Sequence, residues 1–337
     1  LFNNGFTNPA VTYTVTPTAL GCEGAPGIFV MTVHPIPDVI FNPSLTTICT
    51  GNPLNIQLGS QAQPVAFSWT AAGSSAFINN YSGGAGTSIQ QSPQNTGSGP
   101  ETVTYSVTPL SNGCYSSPFQ YVATIYPSPA VDVSSYPSSV CTGDQFSVVF
   151  TSVTAGTTFS WVAFATSPTV SGYSGGNGNS FIHTLNNPGS TSETVTYIVT
   201  PKANDCYGSP VSIMVLVKPL PDIILSPASQ TACWGQPAQV TQSSTFPGAI
   251  CSWTATGSSS AVTGYANGTG NLISQPLFTT GTTTQTVTYF ISSTLDGCTS
   301  PVSLAEVLTY PVPDMTITPP VQSICSGHYT GISLASQ

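Results

Sequence analysis

Nine cysteines are the residues of this 337-residue sequence with the clearest capacity for chemistry. Eight of them form two series with 92-residue steps: Cys22, Cys114, Cys206 and Cys298, and Cys49, Cys141, Cys233 and Cys325. Cysteine sulfur forms disulfides, binds metals or acts as a nucleophile. Because no Cys-x-x-Cys pair with zinc-site spacing occurs, the pattern favours disulfides in an oxidising compartment.

The other titratable residues do not suggest a catalytic centre. Three histidines occupy three different positions of the repeat, and we interpret them as satisfied surface or junction residues: His34, His183 and His328. Three aspartates follow Pro-x-Pro pairs: Asp38, Asp222 and Asp314. Since Ca²⁺ needs six to eight oxygen ligands, we interpret these carboxylates as acceptors for backbone N–H groups. The sequence predicts no catalytic residue, no metal site and no cofactor.

Two single residues depart from the repeat. Cys251 stands where the other repeats have Phe67 and Phe159, so we interpret it as a small buried hydrophobe. Trp234 replaces a Thr or Ser of the other repeats, and we expect it at a domain junction.

Each repeat carries a glycine-rich stretch directly after a tyrosine. The stretches are Ser82–Gly86, Ser174–Gly178 and Ala266–Gly270. Glycine loops that bind phosphate open a helix and carry a lysine, and these do neither. We therefore expect strand-to-strand turns with positive φ. The tyrosines before these stretches have two interpretations: they pack in the core or at its rim, or they stack on sugar rings. They are Tyr81, Tyr173 and Tyr265.

The composition limits the classes of partner. The chain has 2 Lys+Arg against 11 Asp+Glu, a formal net charge of -9. Binding to nucleic acid or to an anionic membrane surface is excluded because phosphates need cations. No apolar run reaches the ~18 residues of a membrane helix. The 31 Gly and 30 Pro exclude long helices and indicate an all-β protein.

The elements that position these residues recur every 92 residues. Val103–Pro109 matches Val195–Pro201, and tryptophans and Pro-x-Pro pairs repeat in the same register. Cutting at the Pro-x-Pro pairs predicts complete domains at 37–128, 129–220 and 221–312. Residues 1–36 are then the C-terminal part of a preceding domain, and 313–337 the N-terminal part of a following one. We expect the chain to be a window from a longer array.

Alternation and turn residues predict seven strands per domain. In the 129–220 domain these are Val131–Val140, Phe146–Ser152, Thr157–Phe164, Thr169–Tyr173, Ser180–Leu185, Thr194–Thr200 and Val211–Lys218. Seven strands with a core tryptophan on the third are typical of an immunoglobulin-like sandwich. The predicted core tryptophans are Trp69, Trp161 and Trp253.

The combination of motifs resembles a known family. The unit contains Ile48–Gly51, Phe67–Trp69, Tyr81–Gly86, Glu101–Pro109 and Asn112–Cys114. It resembles the PKD-like repeats of very large cell-surface adhesins of Bacteroidota, including gliding-motility adhesins exported by the type IX secretion system. The resemblance covers the whole chain and implies secretion and a stalk domain.

The strand topology predicts which cysteines pair. In an end-to-end array the first strand carries Cys49 to the pole where the chain leaves its domain, whereas the last hairpin holds Cys114 at the opposite pole. A Cys49–Cys114 bond would span the domain, against a Cα limit of ~7 Å. We therefore predict Cys49–Cys206 and Cys141–Cys298, between successive domains.

Two alternatives to this pairing stay open. Intradomain bridges would be Cys49–Cys114, Cys141–Cys206 and Cys233–Cys298, and free thiols are the other alternative. In the interdomain scheme four cysteines have partners outside this fragment: Cys22, Cys114, Cys233 and Cys325.

These features together predict a non-catalytic extracellular stalk at a cell surface, which projects a distal binding region. Its expected partners are neighbouring repeats of the same chain, other copies of the filament, or surface glycans. Carbohydrate-binding modules and an accessory region of a secreted hydrolase are the alternatives. Burial of the repeated tyrosines would count against sugar binding.

Overall fold

A computed structural model describes residues 1–43 and 46–336 of the chain. All regular elements in these ranges are β-strands. None of the described residues belongs to a helix that is long and apolar enough to span a bilayer.

The first 36 residues and the last 25 contribute short hairpins. The first part contains β1 (Ala10–Val15), β2 (Thr18–Ala19), β3 (Cys22–Glu23) and β4 (Gly27–Thr32). The next 92 residues contain β5 (Ile40–Asn42), β6 (Thr47–Cys49), β7 (Leu54–Gly59), β8 (Ala66–Gly73), β9 (Ile78–Asn79), β10 (Gly84–Ala85), β11 (Ser88–Gln91), β12 (Gln94–Asn95), β13 (Glu101–Ser111), β14 (Cys114–Tyr115) and β15 (Phe119–Tyr126).

The next two domains repeat this order. The second contains β16 (Asp132–Val133), β17 (Ser139–Cys141), β18 (Gln145–Thr151), β19 (Thr158–Ala165), β20 (Gly176–Asn177), β21 (Ser180–Thr184), β22 (Glu193–Ala203), β23 (Cys206–Tyr207) and β24 (Val211–Lys218). The third contains β25 (Ile224–Ser226), β26 (Ser229–Cys233), β27 (Pro237–Ser243), β28 (Ile250–Gly257), β29 (Val262–Thr263), β30 (Gly268–Thr269), β31 (Leu272–Pro276), β32 (Phe278–Thr279), β33 (Gln285–Leu295), β34 (Cys298–Thr299) and β35 (Ser303–Tyr310). The chain ends with β36 (Thr316–Thr318) and β37 (Ser333–Ala335).

Each complete domain is a sandwich of a larger and a smaller sheet. In the second domain the larger sheet has the order β17-β24-β22-β19-β20, with β23 paired to β22. The smaller sheet has the order β16-β18-β21. All pairings are antiparallel except β17 with β24, which run parallel. The edge strand therefore points in the same direction as the strand that leaves the domain.

Strict alternation along the strands creates the core between the two sheets. Along β22 every second residue, beginning with Val195, is buried, and the residues between them are only partly covered. Period-two burial places one face of the strand against the opposite sheet. Trp161 lies in this core cluster, as do Trp69 and Trp253 in theirs.

The first predicted strand of the second domain is wrong as a single element. The stretch Val131–Val140 divides into β16, which pairs with β18, and β17, which pairs with β24. The chain thus crosses from the smaller sheet to the larger one. Pro137 lies between the two pieces and lacks the N–H that a continuous ladder needs.

The predicted strand Thr169–Tyr173 is also wrong, because only Ser171 forms a bridge, to Asn186. The last glycine of each glycine-rich stretch forms the predicted strand-to-strand turn with positive φ: Gly86 at 136°, Gly178 at 132° and Gly270 at 123°. The middle of the stretch is not a turn, because Gly176 begins a two-residue strand against Trp161. A Cβ at Gly176 would lie 2.8 Å from the Trp161 ring. The ring packs so close to the backbone that a residue with a side chain does not fit at this position.

Candidate functional site: the domain junctions

The C-terminal pole of each domain carries one cysteine on the edge strand of the larger sheet. In the second domain Cys141 lies directly opposite Lys218, the last residue of β24. Pro219 follows at once in the chain. This edge cysteine therefore lies where the chain leaves the domain, and Cys49 occupies the same place opposite Tyr126.

A hydrogen-bonded lock holds the turn after the edge cysteine. The Thr142 hydroxyl accepts from the Asn187 backbone N–H at 2.7 Å and donates to the Asn187 carbonyl at 3.0 Å. The buried Asn187 amide donates to the carbonyls of Thr191 and Val217, the latter on β24. The lock fixes Cys141 beside the outgoing strand, and Thr50 with Asn95 repeats it.

The N-terminal pole carries the second cysteine, in the hairpin formed by β22 and β23. Asn204 and Asp205 both have positive φ, 48° and 64°, as a two-residue type I′ turn requires. This turn sets the register that places Cys206 opposite Ala203. A Cβ at the nearby Gly208 would overlap the Pro129 carbonyl oxygen. The hairpin cysteine therefore lies where the chain arrives in the domain.

Two disulfides connect the edge cysteine of one domain to the hairpin cysteine of the next. Cys49 bonds to Cys206 with a Cα–Cα distance of 5.5 Å. Cys141 bonds to Cys298 with a Cα–Cα distance of 5.6 Å. These are the pairs that the strand topology predicts, and the intradomain scheme is not the one in the structure. Within residues 1–43 and 46–336, five cysteines form no disulfide: Cys22, Cys114, Cys233, Cys251 and Cys325.

Noncovalent contacts accompany each bridge. At the first junction the Ser128 hydroxyl donates to the Tyr207 carbonyl at 3.2 Å. At the second, the Lys218 ammonium donates to the Asp296 carbonyl at 2.9 Å. The prolines of both linkers are buried: Pro127, Pro129, Pro219 and Pro221. Each junction thus combines a packed peptide linker with a disulfide beside it.

Two of the aspartates after the Pro-x-Pro pairs, Asp38 and Asp222, cap a turn in their own domain. Asp222 accepts from the Ser244 hydroxyl and from the Thr245 backbone N–H, both at 2.7 Å. The Ser244 hydrogen bond is the main cause that lowers the pKa of Asp222. Asp38 makes the equivalent bonds to Ser60 and Gln61. These carboxylates accept backbone N–H bonds and share no site.

His183 is half-buried and contacts core residues of the second domain. Its Nδ1 lies 2.9 Å from the hydroxyl of the buried Tyr197, and its ring stacks on Phe181 at 4.8 Å between centroids. Burial lowers the pKa of His183. In the third domain Gln275 accepts from Tyr289 in the same way. Sequence reasoning placed His183 among surface or junction residues and missed this contact to the core tyrosine.

The repeated tyrosines next to the glycine-rich stretches pack on the cores. All three are half-buried against the core cluster of their domain: Tyr81, Tyr173 and Tyr265. This packing disfavours the sugar-stacking interpretation. Trp234 packs edge-on against Phe278 of its own domain, with ring centroids 5.0 Å apart. It stands where the other domains have the lock threonine.

The described residues contain no cluster of three or more His, Cys, Asp or Glu side chains arranged to hold a metal ion. Cys251 is buried and lies opposite Ser293 in the sheet, away from both cysteine series. The disulfide-linked junctions are thus the distinctive feature of the molecule.

The family model described as "PKD-like domain" matches residues 46–129, 138–221 and 230–313. The chain belongs to the PKD-like domain family. The three PKD-like matches follow one another without overlap and contain both junctions. The domains predicted from the Pro-x-Pro pairs start at residues 37, 129 and 221, about nine residues before each match starts. These domain boundaries stay predictions.

Solved structures of other tandem domains resemble these PKD-like repeats. A three-domain fragment of titin, I67–I69, has a TM-score of 0.40 and 10% identity, covering 82% of this chain and 99% of that one. The Escherichia coli adhesin FdeC has a TM-score of 0.34 and 15% identity, covering 80% and 96%. Likenesses this distant carry no information about function. No curated protein matches the chain.

Proposed function

We propose that this chain is a non-catalytic spacer in a large extracellular surface protein, where stiffly joined PKD-like domains hold a distal region away from the cell. One observation carries the proposal. Each described junction has two covalent attachments, the Pro-x-Pro peptide and the disulfide between facing poles. Two separated attachments oppose both bending and rotation about the linker, whereas a single peptide linker opposes neither strongly.

The edge and hairpin cysteines without a bond fit the same scheme. Cys114 is in a hairpin and Cys233 is on an edge strand, as in the bonded pairs. We propose that these two, with Cys22 and Cys325, bond to neighbouring repeats beyond this stretch. A cell-surface adhesin of the Bacteroidota gliding type, exported by type IX secretion, is the setting that we propose from the resemblance of the motifs.

Small-angle X-ray scattering of the full chain tests the spacer. We expect the oxidised chain to behave as a rod of roughly 100 Å or more, from ~35–40 Å per domain. Cys141→Ser with Cys298→Ser frees one junction and should shorten the mean end-to-end distance and broaden its distribution. Cys22→Ser with Cys325→Ser is the matched control, because it removes two thiols and no bridge. An oxidised chain as flexible as the freed variant, or one folded back on itself, would contradict the spacer function.

A further inference from the structure

The two disulfides share one stretch of the chain. Each joins cysteines 157 residues apart, and because Cys141 precedes Cys206, the two closed loops overlap between these residues. Resting on the spacer function above, we propose that the disulfides carry tension from domain to domain and so limit how far the array extends. Tension then runs backwards through the second domain, from its hairpin cysteine to its edge cysteine.

The shortest covalent path between the chain ends shows this directly. It leads from Leu1 to Cys49, across to Cys206, back to Cys141, across to Cys298 and on to the last residue. This path contains roughly 150 residues, about 530 Å when fully extended, whereas the 337-residue chain without bridges reaches about 1,200 Å. Most of the first and third domains therefore lies outside this path, in loops that carry no tension once the path is fully extended.

The sheet of the second domain is arranged to resist this pull. Tension enters at β23 on one pole and leaves at β17 on the other. These strands are connected through neighbours in one sheet, in the order β23, β22, β24 and β17. The β22 and β24 strands pair over seven residues, from Glu193 with Val217 to Val199 with Val211. Force along the strands loads the β22–β24 hydrogen bonds together, because in an antiparallel pair they lie perpendicular to the strands. The parallel pairing of β24 with β17, over three residues, carries the same load.

Single-molecule stretching measures the path length. The chain is tethered by peptide tags at both ends, with Cys22, Cys114, Cys233 and Cys325 replaced by Ser so that unbonded thiols do not cross-link. With both bridges, we expect a final contour of roughly 150 residues. With Cys141→Ser and Cys298→Ser, or with Cys49→Ser and Cys206→Ser, we expect roughly 180 residues. With all four replaced, we expect the full 337 residues.

The differences between the contour lengths with two, one and no bridges show whether the two disulfide loops overlap. Removing either bridge lengthens the path by only about 27 residues, whereas removing the second adds about 157 more. Equal lengthening at both steps, or no lengthening from Cys49→Ser alone, would overturn the proposal. Cys251→Ser is the control, because this thiol forms no bridge and its loss should leave the contour unchanged. A chain that stays rod-like in scattering but lacks this contour series would keep the spacer function and lose only the tension path.

Discussion

The second and third domains have the same sheets but different cores. In the second, Phe150 packs against Phe159 with ring centroids 5.6 Å apart. At the same repeat positions the third has Gln242 and Cys251, both buried. The Gln242 amide donates to the Gly270 carbonyl, but its Oε1 has no hydrogen-bond partner among the residues that the structure describes. The 92-residue frame thus keeps both cysteine series in register while part of the core packing varies.

This difference shows that individual core positions change in polarity while the tryptophan and the alternating long strand stay the same. A buried polar atom without a partner costs about 1–3 kcal/mol, and aromatic side chains bury more apolar area than Gln or Cys. We infer that the second domain is the more stable of the two. Domain-resolved hydrogen exchange, followed by mass spectrometry, is the measurement that compares them within one chain.

The largest expected effect comes from emptying the aromatic core. Phe150→Ala should destabilise the second domain by about 3–5 kcal/mol, because it leaves a cavity among packed rings. Gln242→Ala at the matched position should cost the third domain about 1 kcal/mol, because one hydrogen bond is lost and an unpaired acceptor leaves with it. Exchange rates of the two domains report both values. Similar losses of stability in both domains would contradict the inferred difference between their cores.

A smaller effect is expected at the lock beside the edge cysteine. Asn187→Ala removes amide hydrogen bonds to two carbonyls, one of them the buried carbonyl of Val217. We expect a loss of about 2–4 kcal/mol in the second domain. The third domain has Thr279 there, and its buried hydroxyl finds no hydrogen-bond partner in the described part of the chain. Thr279→Ala should therefore change stability by less than about 1 kcal/mol. An Asn187→Ala variant with unchanged exchange near Cys141 would argue against the lock.

The smallest expected effect is a dependence on pH confined to the second domain. Burial lowers the pKa of His183 in the folded state, so the unfolded chain binds this proton more readily. Stability of the second domain should therefore fall as the pH drops through the unfolded value of about 6.5 and below. His183→Gln, the residue of the other two repeats, should abolish this dependence. Thermal unfolding at pH 7.5 and pH 5 compares the two, and equal shifts for both proteins would refute the assignment.

Much of the fold follows from the sequence because the repeat supplies independent copies of each pattern. Alternation along β22 predicts its buried face, and the direction of the first strand places Cys141 at the far pole. The change of sheet between β16 and β17 escaped prediction, because both pieces have strand-like sequences. The contact of His183 with Tyr197 escaped it as well, because these residues are 14 positions apart and meet only across the sandwich.

The overlapping loops have a further consequence for survival outside a cell. A protease that cuts one peptide bond anywhere between Cys49 and Cys298 leaves the two ends of the chain covalently joined, since another route through a disulfide remains. A filament held by single linkers is severed by the first such nick. Interlocked repeats of this kind tolerate damage at any one place.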